Sequence, residues 1–90
     1  MLTRWAGTLS SMTFASPTSA RHRISGNLKR LRLERGLSQE KAAELADFHR
    51  TYVSQLERCV TNISIDGLER LAHALGVDVV ELLSPVESEA

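Results

Sequence analysis

The 90-residue chain has little of several residue types that define particular classes of protein. A single cysteine, Cys59, excludes an intrachain disulfide and a cysteine-based zinc finger. The aromatic side chains are only Trp5, Phe14, Phe48 and Tyr52, too few for an aromatic cage or a stacking platform. No apolar run approaches the ~20 residues of a membrane span.

The chain also lacks an assembled catalytic or metal-binding pattern. His22, His49 and His73 are not spaced as metal ligands, and no cysteine or acidic cluster joins them. There is no nucleophile–base pair, no pair of carboxylates suited to a pocket, and no phosphate-binding glycine loop. We therefore expect no enzymatic activity, no metal or other cofactor, and no small-molecule ligand.

The formal net charge of zero hides a division along the chain. Residues 1–58 hold ten Lys and Arg against five Asp and Glu, whereas residues 59–90 hold one against six. The first two-thirds therefore suits a polyanion such as nucleic acid, and the last third does not.

The beginning of the chain differs in composition from the rest. Residues 1–22 contain eight Ser and Thr, no Asp or Glu, and no sustained apolar periodicity. We predict a disordered extension over residues 1–23, with Arg21 and Arg23 as a flexible phosphate-binding arm. A mitochondrial transit peptide shares this composition, although Arg4, Arg21 and Arg23 are few basic residues for one.

From Ile24 onward, apolar residues recur at helical spacing, and we predict an all-α domain over residues 24–84 followed by a tail over residues 85–90. The predicted helices are 24–35, 39–46, 50–58, 65–75 and a short one after Asp78. Ser38, Ser64 and Asp78 are suited to cap helices two, four and five, and Gly36 and Gly76 to end helices one and four. The expected apolar stripe of helix four is Ile65, Leu68, Leu71, Ala72 and Leu75.

The join between helices two and three carries the functional information. Helix two is short, and Ala42, Ala43 and Ala46 fall on its predicted inner face. Small residues let two helices cross closely at a steep angle, as a helix-turn-helix requires. The outer face of helix three presents Arg50, Thr51, Ser54, Gln55 and Arg58. Arg can bind guanine, Gln can bind adenine, and Thr can contact a thymine methyl in a DNA major groove.

The segment GLSQEKAAELADFHRTYVSQLER resembles the helix-turn-helix of phage-repressor/Cro-like, or Xre-type, transcriptional regulators. The resemblance continues through NISIDGLERLAHALGVDVVELL and covers residues 24–83. RTYVSQLER followed by NISI is especially similar to the controller proteins of restriction–modification systems, a small dimeric branch. The resemblance implies a compact five-helix lambda-repressor-like domain that binds double-stranded DNA sequence-specifically, as a repressor or an activator. It also implies a bacterial or phage protein of the cytoplasm, associated with the nucleoid when bound.

The resemblance assigns roles to residues of this sequence. It implies that Arg50, Thr51 and Gln55 contact bases and that Arg32 and Glu57 form a structural salt bridge behind the recognition helix. The expected phosphate contacts are Gln39, His49, Tyr52, Ser54 and Arg58.

Three residues depart from the family's pattern around helix three. Asp47 replaces the usual turn glycine, and we expect it to tolerate a left-handed backbone. His49 replaces the usual Ser or Thr N-cap, which weakens the cap by ~1 kcal/mol. Cys59 replaces a common glycine after the helix.

We expect Leu82 and Leu83 to close the core. Around the fifth helix there are nevertheless more apolar side chains than one short helix can bury in a small domain, namely Val77, Val79, Val80, Leu82 and Leu83. We predict a two-fold homodimer with Val79, Val80, Leu82 and Leu83 at the interface. Such a dimer sets two recognition helices ~34 Å apart, on a palindromic or pseudo-palindromic site. The alternative is a protein-interaction module, such as an antitoxin or adaptor, whose fifth helix binds a different protein.

Overall fold

Residues 19–86, which are the residues the computed structural model describes, fold into five helices joined by short loops. The helices are α1 (Ala20–Glu34), α2 (Gln39–Ala46), α3 (Arg50–Glu57), α4 (Ile65–Leu75) and α5 (Val79–Leu83). The predicted all-α fold is confirmed, and the predicted helices two to five agree with the observed ones to within one residue. Most of the predicted N-terminal extension and the end of the predicted tail lie outside the described residues.

The start of α1 corrects the predicted boundary at residue 23. α1 begins at Ala20, because the Ser19 hydroxyl caps it by accepting a hydrogen bond from the His22 N–H at 3.1 Å. The domain therefore begins at least four residues earlier than the apolar periodicity suggests.

Arg21 and Arg23 belong to this first turn and not to a flexible arm. The Arg21 guanidinium donates to the Asn62 side-chain oxygen, and Arg23 Nη1 donates to the Leu83 carbonyl at 3.2 Å. These partners are 41 and 60 residues away in the sequence. Such contacts leave no pattern in the local sequence, which explains why the prediction was wrong.

Local capping signals determine the other helix ends as predicted. The side chains of Ser38, Ser64 and Asp78 accept hydrogen bonds from backbone N–H groups in the first turns of α2, α4 and α5. Gly36 and Gly76 follow α1 and α4 with φ of 67° and 71°, the left-handed conformation that glycine adopts without steric cost.

All five helices contribute to the core, and its largest fully buried side chains are Leu28, Val53, Leu71, Leu75 and Leu82. Leu82 was predicted both to help close the core, which is confirmed, and to lie at a dimer interface. It is fully buried in the chain's own core, so it is not available to a partner. Leu82 anchors the short α5 in the domain, and Val79 and Leu83 pack against the same core.

Ile65 is a further correction, because it is 76% exposed instead of facing the core. It is the first residue of α4, next to the Ser64 cap. The buried stripe begins only at Gly67 and Leu68 and continues through Leu71, Ala72 and Leu75. The apolar periodicity therefore placed the start of the buried face about one turn too early.

A buried amide attaches α5 to α1. Asn27 Nδ2 donates to the carbonyls of Leu82 and Ser84 at 3.1 and 2.9 Å, and Asn27 Oδ1 accepts from Arg30 Nη2 at 3.2 Å. The last carbonyls of a helix have no partner within it, so Asn27 satisfies groups that burial would otherwise leave unpaired.

Cys59 follows α3 in a left-handed conformation with φ of 64°. This conformation places the Cβ of an L-residue close to the carbonyl oxygen that follows it, at a cost of roughly 1–2 kcal/mol. The position that the family pattern gives to glycine therefore stores backbone strain here.

We expect Cys59→Gly to raise the free energy of unfolding by about 1 kcal/mol, because relief of strain exceeds the added entropy of the unfolded chain. For a domain of this size, that gain corresponds to a Tm increase of about 4–8 °C. Urea denaturation of both proteins checks the prediction. Cys59→Ala is the control, since it removes the thiol and keeps the strained Cβ. A Gly variant no more stable than the Ala variant would contradict this account.

Candidate nucleic-acid interface

The turn between α2 and α3 has the geometry of a helix-turn-helix. Asp47 ends α2 with φ of 63° and ψ of 45°, so the prediction that it tolerates a left-handed backbone is confirmed. The Phe48 N–H donates to the Ala43 carbonyl at 2.8 Å and closes the turn. Ala43 and Ala46 are buried in the core cluster, as predicted, and their small size allows α2 to lie close to α3.

α3 has an apolar inner face and a polar outer face. Val53 and Leu56 are buried as predicted. Residues 50, 51, 54, 55 and 58 follow helical spacing and share the opposite side of the helix. Of these, Arg50, Thr51 and Arg58 are exposed, while Ser54 and Gln55 are partly buried.

His49 occupies the N-cap position of α3 without capping it. Its side chain makes no capping hydrogen bond, in agreement with the weak cap that the sequence predicts. His49 is exposed beside the outer face, and the start of α3 therefore depends on other contacts for its position.

A buried carboxylate joins α3 to α1 and α2. Glu57 Oε2 lies 2.6 Å from Arg32 Nε, and Glu57 Oε1 accepts from Arg32 Nη2 at 3.0 Å and from Gln39 Nε2 at 3.1 Å. Arg32 Nη1 donates to the Leu37 carbonyl at 2.8 Å. The hydrogen bond to Glu57 is the main reason why the pKa of Arg32 is raised, and burial opposes it. The structure thus brings together Arg32, Glu57 and Gln39, three of the residues that the resemblance singles out.

The Tyr52 side chain packs against Phe48 and the loop after α3 instead of extending freely into solvent. Its ring meets Phe48 edge-on, with centroids 5.0 Å apart and planes at 76°, and its hydroxyl donates to the Asn62 carbonyl at 2.6 Å. Burial raises the pKa of Tyr52, and the nearby positive charge of Arg70 partly opposes that effect.

Two positioning residues were not found from the sequence. Ser25 Oγ donates to the Glu57 carbonyl at the end of α3 at 2.6 Å, and Arg70 donates to the carbonyls of Ala46 and Asp47 at the end of α2. Each of these side chains binds a backbone oxygen, and any residue can provide one, so no sequence pattern marks the pair.

Within residues 19–86, no group of three or more His, Cys, Asp or Glu side chains is placed to hold a metal ion. No helix in the same range is long and apolar enough to cross a membrane.

The helix pair with its tight left-handed turn and polar outer face defines a helix-turn-helix domain, a class of DNA-binding module. The chain belongs to the HTH_3 helix-turn-helix family, whose profile matches residues 28–82. The members are transcription regulators and not enzymes, so the predicted class of function, DNA-binding regulation, is confirmed.

Individual relatives agree with the family and with the controller branch. Control protein C.BamHI from Bacillus amyloliquefaciens is 44% identical over 57 residues, which are 62% of this chain and 70% of that protein. The crystal structure of the hypothetical transcription factor NHTF from Neisseria has a TM-score of 0.75 at 35% identity, and the match covers 83% of this chain and 86% of that one. The restriction-modification controller protein C.AhdI from Aeromonas hydrophila has a TM-score of 0.65 at 38% identity, covering 67% of this chain and 91% of that one.

We expect Arg32→Met to lower the free energy of unfolding by roughly 3–5 kcal/mol, because it leaves the Glu57 carboxylate buried without its ionic partner. Glu57→Leu has a similar cost for the opposite reason. The double variant should lose less than either single variant, because no unpaired charge remains.

Urea denaturation of the four proteins forms a double-mutant cycle for this pair. Lys41→Met, which breaks an exposed pair with Glu44, is the matched control and should change stability by less than about 1 kcal/mol. Equal effects of Arg32→Met and Lys41→Met would show that the buried pair has no special role.

Proposed function

We propose that this protein regulates transcription as a homodimer that binds a palindromic or pseudo-palindromic DNA site, with α3 in the major groove of each half-site. One observation carries the proposal: the side chains of Arg50, Thr51, Ser54, Gln55 and Arg58 share one helix face, and none makes a hydrogen bond or ion pair within the described residues. By contrast, the arginines at 23, 32 and 70 donate to the chain's own oxygen atoms.

The chemistry of this face suits base reading. Arg50 and Gln55 offer the paired donors and acceptors that bind guanine and adenine edges, and the Thr51 methyl suits thymine. Ser54 and Arg58 lie further along the same face, and His49 lies before it, where each can reach a phosphate.

Gln39 and Tyr52 differ in the number of hydrogen-bond donors that each can still offer to a phosphate. The Gln39 amide has two N–H donors, and Glu57 accepts one of them, so one donor remains. Tyr52 has a single O–H, which the Asn62 carbonyl accepts, so a phosphate contact from Tyr52 requires that hydrogen bond to break. We therefore assign the phosphate contact at the start of α2 to Gln39 with the Glu57 carboxylate orienting it.

Selection from random duplex DNA, followed by sequencing, tests the proposal. The wild-type protein should enrich a two-fold symmetric motif. Arg50→Ala should relax the preference at one base pair per half-site, a loss of about 1–3 kcal/mol of discrimination. Gln39→Ala should weaken binding to all sequences about equally and leave the motif unchanged.

An unchanged motif for Arg50→Ala would show that α3 is not the reading helix in this register. Absence of any enriched motif at low salt would overturn the proposal and favour a protein partner. An enriched motif found upstream of the protein's own gene, beside restriction and modification genes, would support the role of a restriction-modification controller, as C.AhdI is described.

The homodimer is proposed on a revised set of residues, because Leu82 is buried. Val80 is 63% exposed and Ile65 is 76% exposed, while Val79 and Leu83 are only partly covered by the core. A two-fold interface between copies of α5, with Ile65 contributing, buries apolar surface that water otherwise contacts.

We expect Val80→Asp to convert a dimer into a monomer, because a two-fold interface places two such carboxylates in the same apolar contact. Sedimentation at tens of micromolar protein measures the mass of each species. Leu33→Asp, at an apolar residue that is 57% exposed on α1, is the control and should remain dimeric. A wild-type protein that sediments only as a monomer would exclude the homodimer.

A further inference from the structure

Arg70 of α4 binds the turn of the helix-turn-helix from behind. Its Nε donates to the Ala46 carbonyl at 3.2 Å and its Nη2 to the Asp47 carbonyl at 2.9 Å. Its guanidinium carbon lies 4.5 Å from the centroid of the Phe48 ring. One side chain therefore contacts three consecutive residues, from the end of α2 to the residue before the cap of α3.

The chemistry at this end of α2 requires a side chain such as arginine. The last carbonyls of α2 have no partner within the helix, and a positive charge near a helix C-terminus is favourable. The planar guanidinium provides two donors at fixed angles and a flat face for the aromatic ring. A lysine ammonium provides the charge without this fixed geometry.

The same turn has few other means of fixing α3. The Asp47 backbone is left-handed, and His49 makes no side-chain cap at the start of α3. Phe48, which Arg70 covers, meets the ring of Tyr52 in the first turn of α3. A continuous set of contacts thus runs from Arg70 through Phe48 to the beginning of the reading helix.

We propose that Arg70 is a positioning residue for sequence readout, which sets the orientation of α3 relative to α2 and contacts no base itself. The inference rests on the proposed function, in that α3 reads bases while Gln39 at the start of α2 holds a phosphate. The distance between these two contacts depends on the turn, and Arg70 fixes the turn. Loss of Arg70 should therefore reduce discrimination between sequences more than it reduces affinity for DNA in general.

Arg70→Lys is the first test, because it keeps the charge and removes the two-pronged geometry. Binding constants are measured for the selected duplex and for a scrambled duplex of the same length, over a range of salt concentrations and well below the Tm. Affinity for the selected duplex should fall about tenfold, comparable to the loss of one bidentate base contact. Affinity for the scrambled duplex should change less than about twofold, with the salt dependence unaltered, because no phosphate contact is lost.

Arg30→Lys is the matched control, since Arg30 also donates hydrogen bonds but lies on α1, and it should leave both affinities unchanged. Phe48→Leu is a second variant, which keeps an apolar side chain and removes the ring beneath the guanidinium. It should shift the ratio of specific to non-specific affinity in the same direction by a smaller factor. This variant keeps the inference testable if Arg70→Lys does not fold.

Three outcomes would overturn the inference. If Arg70→Lys lowers only the Tm and keeps the affinity ratio, Arg70 is structural without affecting readout. If Arg70→Ala weakens both duplexes equally and reduces the salt slope by about one, Arg70 is a phosphate contact. If the wild-type protein itself shows no sequence preference, the proposed function fails and this inference fails with it. The first two outcomes overturn only this inference.

Discussion

The Glu57 carboxylate is the group on which the position of α3 and its polar outer face depends. α3 has eight residues, and a helix of that length is not stable in water alone, so contacts with the rest of the domain must hold it. Glu57 binds Arg32 of α1 through both oxygens and also accepts from Gln39 of α2. Desolvation offsets much of the attraction in a buried ion pair, so we interpret this network mainly as a geometric constraint. It holds the C-terminal end of α3 against the two helices that precede it.

The two ends of α3 are fixed by different parts of the chain. Ser25 binds the last carbonyl of the helix, while Arg70 and Phe48 hold the turn that precedes its first residue. The side of α3 between these anchors that faces away from the core has no comparable contacts within residues 19–86. An inner face held by the domain and an outer face without such contacts would suit a helix that distinguishes one sequence of base pairs from another.

Sequence predicted the features of this fold that local chemistry determines. Ser38, Ser64, Gly36 and Gly76 act within a few residues of their own positions, so helix ends at these positions were predictable. The start of α1 was missed although its Ser19 cap is local, because apolar periodicity begins only at Ile24 and the partners of Arg21 and Arg23 lie 41 and 60 residues away. Leu82 was correctly expected in the core and wrongly expected at a dimer interface as well.

The site shows the same division between local and distant determinants. The polar face of α3 is visible as a periodic pattern, and the family resemblance supplied the pair of Arg32 with Glu57. Arg70 and Ser25 act on backbone carbonyls, which carry no residue identity. Ile65 shows a further limit, since helical spacing alone does not say where a buried stripe begins.

Asn27 has a consequence for the architecture of the DNA site. It ties the end of α5 to α1, and α1 is tied through Arg32 to α3, so direct contacts connect the proposed dimerisation helix to the proposed reading helix. In a dimer formed through α5, these contacts would set the distance between the two α3 helices. A DNA site whose half-site spacing differs from this distance would have to bend or twist to bind. The energy of deforming its central, uncontacted base pairs would then contribute to recognition.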